Sequence, residues 1–316
     1  MHTALDSAAL EFRPKPLLKW AGGKRQLLPQ IRRFYPTHFG KYFEPFAGSA
    51  AVFFDMVNSG RLAHRTATLI DTNCDLIGCY LMVRDRTDEV IDALRAFENE
   101  YRGAREHHFY QVRDGEFNRV RHEWLSERRG PLSQTYTPRL AAMLIYLNRT
   151  GFNGLFRLNS KGLFNVPHGR YANPLICDER NLRAVAAALR QQDVRILNAS
   201  FDTVLADAAE GDFIYFDPPY APVSATSVFT SYTAEGFDTN DQRRLRDVVV
   251  ELVSKRCYVL LSNSTAEEIT DLYDNAGMRR LQIRAHKVAA KRAINSDPRA
   301  RGNVFEYLVT NIHPSN

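Results

Sequence analysis

Short runs of apolar residues recur along the chain at Tyr42-Phe43-Glu44, Ala67 to Asp71, Val194 to Leu197, Phe213 to Asp217 and Tyr258 to Ser262, several closing on an acidic or polar residue. A short run that is apolar almost throughout, rather than at alternate positions, predicts a strand buried on both faces, as in a parallel sheet whose ligands gather at the carboxyl ends. Between the first two runs, Gly48 to Val57 is led by glycine and then apolar at helical spacing, the pattern of a βαβ crossover. The nucleotide-binding half of an α/β fold is therefore expected from about residue 40.

From Asp71 to Val194 the chain runs well beyond the dozen or so residues that a crossover needs, so something is inserted there. The insertion carries a helical pattern at Glu89 to Phe97, an Arg/His-rich stretch from Arg102 to Arg129, an apolar helix from Arg139 to Leu147, and a run rich in Gly, Asn and Arg from Asn148 to Arg170. That last run offers amide and guanidinium groups for base edges and rings for stacking, as a loop or hairpin touching nucleic acid requires. A solvated loop packed by its own aromatics is the alternative. Further on, Asp241 to Val253 reads as an amphipathic helix, Arg284 to Arg301 as a mobile, basic, phosphate-facing loop, and Val304 to Val309 as an edge or antiparallel strand. There are no internal repeats and no low-complexity tract.

Composition adds less. The 316 residues, 44% of them hydrophobic, can fill a real core. Lys and Arg exceed Asp and Glu by 42 to 36, which only mildly favours a polyanionic partner. Cys74, Cys79, Cys177 and Cys257 form no close CxxC pair, and the start of the chain lacks the apolar core of a signal peptide, so free thiols in a reducing cytoplasm are expected. No apolar stretch reaches the roughly 18 residues of a membrane-spanning helix, and a soluble protein follows.

The sharpest chemical signal is Asp217-Pro218-Pro219-Tyr220, directly after an apolar run. Methylating an exocyclic amine is hard because the nitrogen lone pair is delocalised into the base. The Asp217 carboxylate and the Pro218 carbonyl, held in place by proline's fixed φ, can each accept one amino N–H. Tyr220 can stack on a base flipped out of its duplex. No metal is needed, because a methyl on a sulfonium leaves a neutral thioether. A Pro-Pro turn with an incidental Asp and Tyr is the competing reading. Around it, Phe43 to Phe53 (Phe-Glu-Pro-Phe-Ala-Gly-Ser-Ala-Ala-Val-Phe) follows a strand and opens a helix, so Gly48 would let backbone approach a cofactor. Asp71 ends the next strand, where a carboxylate can accept both hydrogen bonds of a ribose diol. The absence of GxGxxG argues against a nicotinamide cofactor. Lys19-Trp-Ala-Gly-Gly-Lys24 combines an indole, a flexible turn and a cation able to hold an amino-acid carboxylate.

In this order, Lys-Trp-Ala-Gly-Gly-Lys, Glu-Pro-Phe-x-Gly, Asp-x-Asn-x-Asp-Leu-Ile at 71 to 77 and Asp-Pro-Pro-Tyr resemble the Dam-type adenine-specific DNA methyltransferases of the GATC group. The likeness spans roughly residues 17 to 310 and takes in Tyr146 to Arg157, Phe164 to Tyr171, Asp217 to Ser224 and Leu260-Leu-Ser-Asn263. It implies an α/β fold: a Rossmann-like methyltransferase sheet of residues 13–74 and 178–316, interrupted at 75–177 by a mainly helical target-recognition domain containing a β-hairpin. It implies S-adenosyl-L-methionine (SAM) as donor, S-adenosylhomocysteine as product and no metal. Carried over by position, Trp20, Lys24, Phe46, Gly48, Asp71, Phe201 and Asp217 would bind SAM, while Asp217, Pro218 and Tyr220 would hold the target base. Lys19 and Arg157 would read guanines, Phe152 and Asn153 would fill the gap left by the flipped adenine, and Leu155 and Pro167 would lie near the thymine methyl. Arg170 joins these as a DNA contact.

Three positions depart from the family pattern. Phe152 stands for tyrosine, Leu163 for glutamate and His168 for phenylalanine. The Leu163 change removes a charge from the reading hairpin and bears on the strictness of GATC selection. The expected partner is double-stranded DNA, with no membrane, and the protein is expected as a cytoplasmic, nucleoid-associated monomer, either orphan or linked to a restriction nuclease. Two other readings compete: the same chemistry on another adenine context or on cytosine N4, and a silent DNA-binding protein that keeps SAM as a ligand.

Overall fold

The computed structural model describes residues 12–20, 22–191, 194–222, 237–290 and 304–314. The apolar runs form β1 (Tyr42–Pro45), β2 (Ala67–Asp71), β3 (Val194–Asn198), β4 (Phe213–Phe216) and β5 (Tyr258–Ser264), joined by β6 (Arg284–Ala290) and β7 (Val304–Thr310) in one sheet of order β3-β2-β1-β4-β5-β7-β6. β1 and β4 are buried at every position, as their continuous apolar runs require. β1 pairs in parallel with β2 and β4, β2 with β3, and β4 with β5; β7 is antiparallel to β5 and β6. The chain lays β2 and β3 on one side of β1 and then returns to lay β4 and β5 on the other. The crevice at this reversal, outside the carboxyl ends of β1 and β4, is where such sheets hold ligands.

One expectation at the end of the chain needs correction. Arg284 to Ala290 is the edge strand β6 and not the start of a loop, because β7 offers it an unbroken antiparallel partner from Arg284↔Thr310 to Ala290↔Val304. Tertiary pairing outweighs the loop-like basic composition. Residues 291–301 of that expected loop lie outside the described residues, as do 1–11 and Ala21, Val223 and Ser224 of the quoted motifs. Of the two alternatives for Val304 to Val309, the antiparallel strand is the one found: β7 lies inside the sheet between β5 and β6. β4 stops at Phe216, which frees Asp217 from the strand.

The longer helices are α1 (Ala51–Asn58), α2 (Cys74–Asp85), α3 (Thr87–Tyr110), α4 (Asn118–Glu127), α5 (Pro138–Thr150), α6 (Glu179–Gln191) and α7 (Thr239–Ser254), with Gln111–Phe117 a π-helical stretch between α3 and α4. Start signals are local: Asn73 caps α2 through the amides of Asp75 and Leu76, and Thr137 caps α5 with Pro138 in its first turn. The Arg/His-rich stretch is thus mostly helix, kinked at Arg105. One apolar cluster joins one face of the sheet to α2, α3, α5 and α6, and a second packs the other face against α7. Within residues 151–170, Gly151 pairs with His168 and Leu158 with Phe164 as isolated antiparallel bridges. Among the described residues no helix is long and apolar enough to cross a membrane.

Candidate active site at the carboxyl ends of β1 and β4

The segment leaving β1 is forced into an unusual path. Phe46, Gly48 and Ala50 all have left-handed backbone, at φ 61°, 47° and 51°, and for the two residues with side chains this costs on the order of 1–3 kcal/mol each. The surroundings fix it in place. Ala47 N–H donates to Ile70 O (2.9 Å), Gly48 N–H to Asp71 Oδ2 (3.0 Å), and Tyr80 Oη to Gly48 O (3.0 Å). A Cβ on Gly48 would come within 3.0 Å of Trp20 Cδ1, so only glycine lets the indole lie this close.

Beneath the turn, buried Glu44 accepts from Tyr42 Oη (2.7 Å) and from Phe53 N–H in the first turn of α1 (2.8 Å). It does the work of the absent side-chain cap at Ala50. Burial pushes its carboxyl up to about 8, against the pull of these two donors. Asp71, at the end of β2, receives Gly48 N–H and, at 2.9 Å, Asn73 N–H. Burial raises its pKa and these amides oppose the rise.

Phe46 stacks on Phe201, centroids 5.1 Å apart at 22°, with Phe237 edge-on to both and the Arg244 guanidinium over Phe201. The pair is closed, so a third ring fits beside it and not between its members.

Across the crevice, Lys24 Nζ lies 2.8 Å from Asp217 Oδ1, donates also to Gly22 O (2.7 Å), and stands 4.4 Å from the Tyr220 ring centroid. Ser262 Oγ donates to the same Asp217 Oδ1 (3.0 Å). Among the described residues, neither Asp217 Oδ2 nor the Pro218 carbonyl has a hydrogen-bond partner. Burial raises the pKa of Asp217 and Lys24 opposes it. Gln242 Nε2 holds the Pro219 carbonyl (3.1 Å) and is itself held by Asn263 (3.0 Å), while Tyr220 Oη donates to Glu306 Oε2 (2.7 Å).

The residues expected to meet DNA gather beside this crevice. Asn148 accepts from Lys19 N–H and donates to the carbonyls of Lys19 and Gly154, stapling the two segments together. Trp20 stacks on Phe156 (5.6 Å) while touching the Gly48 turn, so it bridges the β1 turn and residues 151–170. Phe152 is 49% exposed, and Asn153, with φ 54°, donates its N–H to Tyr171 Oη. Arg157, Pro167 and Arg170 are exposed and Leu155 half-buried. The Arg157 guanidinium is bonded to Asn165 Oδ1 (2.7 Å) and its carbonyl (3.1 Å). His168 meets Tyr101 Oη (2.8 Å) and packs on Phe109.

The family model for D12 class N6 adenine-specific DNA methyltransferases matches residues 20–294. The chain belongs to this family. It is 38% identical over 297 residues to a Type II methyltransferase, M1.LlaDCHI, of Lactococcus lactis subsp. cremoris, covering 94% of this chain and 95% of that one. It is 37% identical to the Type II methyltransferase M.MjaIII of Methanocaldococcus jannaschii (94% and 99% covered) and 35% identical to the DNA adenine methylase of Escherichia coli K12 (93% and 94%). The enzyme is thus a SAM-dependent, adenine-specific DNA methyltransferase on a seven-stranded mixed α/β sheet.

The crevice fits SAM by its chemistry: a carboxylate at a strand end, an aromatic cluster beside it, and a turn that a Cβ on Gly48 would obstruct. Lys24 Nζ donates to Asp217 and to Gly22 O, which leaves one of its three N–H bonds for an amino-acid carboxylate. Sequence reasoning gave no role to Ser262, Asn263, Gln242, Glu306 or Phe237. Ser262 and Asn263 were visible as polar residues inside an apolar run, and Glu306 as the lone acid in β7.

Proposed function

We propose that the enzyme methylates N6 of an adenine flipped out of double-stranded DNA, within GATC, and that Asp217, Pro218 and Tyr220 hold that base. The observation that carries the reading is the division of Asp217: Oδ1 is taken by Lys24 and Ser262, while Oδ2 accepts nothing among the described residues. Lys24 then orients the carboxylate so that Oδ2 can accept one amino N–H, with the Pro218 carbonyl accepting the other. Both bonds draw the nitrogen lone pair out of the ring. Tyr220, anchored through Glu306, gives the base a face to stack on. SAM, when bound, supplies a methyl whose thioether leaving group is neutral. With the donor bound, transfer of its methyl would leave a surplus proton on N6, which Asp217 Oδ2 is free to accept and pass to water. Trp20, Phe46, Gly48, Asp71 and Phe201 line the donor's side of the crevice.

Residues 75–177 serve as the target-recognition unit, with residues 151–170 as its reading ribbon. Its outer face carries Leu155, Arg157 and Pro167, while Phe156, Phe164 and Val166 face the core. Lys19, stapled to the ribbon by Asn148, and Arg157 contact guanines; half-exposed Phe152 and the neighbouring Asn153 fill the vacated stack, and Arg170 meets the backbone. GATC rests on the Dam-type motifs and on relatives named DNA adenine methylases; relatives named Type II methyltransferases make restriction-linked service equally compatible. The test is Asp217→Ala. Methyl transfer should fall about 10²- to 10⁴-fold, with SAM and DNA binding largely kept by calorimetry and gel shift. Unchanged turnover would remove Asp217 from the mechanism.

A further inference from the structure

We propose that Arg113, Asn118 and Arg121 are positioning residues that set the sequence specificity of the reading ribbon by gripping the free edge of its return arm. The proposal rests on the reading of residues 151–170 as the DNA-reading element.

Backbone groups of an extended arm alternate between its two edges. On one edge of the return arm the odd-numbered residues pair with the outgoing arm: Asn159 N–H to Leu163 O (2.9 Å), Asn165 N–H to Arg157 O (3.1 Å) and Phe152 N–H to Pro167 O (2.8 Å). On the other edge the even-numbered residues meet side chains and not a third strand. Arg121 Nη1 donates to Gly162 O (2.8 Å), Asn118 Nδ2 donates to Phe164 O (3.0 Å) while Asn118 Oδ1 accepts from Phe164 N–H (2.8 Å), and Arg113 Nη1 donates to Val166 O (3.0 Å). All three side chains come from the continuous π-to-α helical stretch that runs through Gln111–Phe117 into α4. The helix thus stands in for a neighbouring strand at both backbone groups of Phe164 and at the carbonyls of Gly162 and Val166.

The grip is referenced to the sheet. Arg121 Nε meets Asp75 Oδ2 at 2.7 Å, with side chains only 9% and 1% exposed. Asp75 sits in the first turn of α2, capped by Asn73, whose own N–H donates to Asp71 at the end of β2. Gly162, at the ribbon's tip, is therefore tied through one arginine to the strand end that borders the donor's side of the crevice. The return arm also places the side chains proposed to face bases: Asn165 holds the guanidinium of Arg157 on the outgoing arm, and Pro167 follows two residues on. Bidentate recognition of a base edge demands placement to about half an ångström, so a slackened arm blurs reading without touching Asp217.

The experiment compares kcat/KM on a GATC duplex and on duplexes with one altered base pair, for the full chain carrying Asn118→Asp, Arg113→Met or Arg157→Ala. Asn118→Asp keeps the acceptor for Phe164 N–H and loses the donor; Arg113→Met removes a partly exposed donor with little risk to folding. Arg121 is left intact because its loss would strand buried Asp75. The expected result is a discrimination ratio about tenfold lower for Asn118→Asp and about threefold lower for Arg113→Met, with kcat on GATC within about twofold of wild type. A purely structural role would lower melting temperature and leave the ratio unchanged, and that outcome overturns the proposal, on Arg113→Met alone if Asn118→Asp does not fold. If Arg157→Ala lowers the ratio and the grip variants do not, the grip inference fails by itself. If Arg157→Ala also leaves the ratio unchanged, the ribbon reading fails instead.

Discussion

The strand ends and the ribbon achieve precision by opposite means. At the ends of β1 and β4 the polar groups are largely buried, and a strained turn is fixed by bonds from Ile70, Asp71 and Tyr80. In the ribbon the groups proposed to face bases are mostly exposed, regular pairing is confined to isolated bridges, and the backbone is steadied by side chains from the helical stretch ending in α4 and by Asn148. Chemistry on a nearly invariant group, an amino nitrogen, suits a site closed on itself. Reading a sequence requires groups that stay available to a partner, so their placement is delegated to neighbours.

The contrast breaks most sharply at Lys24. Lys24→Met removes a charge-assisted bond to Asp217 worth about 1.5–3 kcal/mol, so kcat should drop roughly 10- to 100-fold while discrimination between duplexes stays at its wild-type value. Steady-state kinetics on matched and altered duplexes check both halves, and a change in discrimination alone would reverse the assignment. The mirror experiment is Arg157→Ala. Its effect should fall on discrimination, about 1–3 kcal/mol at one base pair, with maximal turnover on the preferred site little altered.

A smaller effect sharpens the buried side of the comparison. Burial pushes Glu44 up to about 8, so the folded protein keeps a proton that the unfolded chain gives up in the ordinary carboxylate range. The stability this contributes is fully present below that range and is lost as pH rises through about 8. Thermal melting followed between about pH 5 and pH 8 should show a decline in wild type that Glu44→Gln flattens; parallel curves would mean that Glu44 is ionised throughout.

The central strands were legible because burial on both faces leaves an almost continuous apolar run, and Asp217-Pro218-Pro219-Tyr220 was legible because its chemistry and its motif coincide. β6 was not, since Arg284, His286 and Lys287 look like loop residues until β7 supplies a partner. The contact of Lys24 with Asp217 has no local signature either, because the two lie nearly two hundred residues apart in sequence and become adjacent only once the sheet has formed. Glu306 and Ser262 stand out as polar residues in apolar strands, but each acquires its role only through a neighbour from another element. The grip of Asn118 and Arg121 on Phe164 and Gly162 likewise has no local signature, because it joins a helix to backbone groups whose sequence is immaterial.

The most direct test of the central claim, that an N6-directed site is served by a GATC-reading ribbon, is to incubate the wild-type enzyme with SAM and unmethylated genomic DNA and map modified bases by single-molecule sequencing. N6-methyladenine confined to GATC is the expected result. Methylated cytosine would contradict the base-holding site, and methylated adenine in contexts unrelated to GATC would contradict the reading assigned to Lys19 and Arg157.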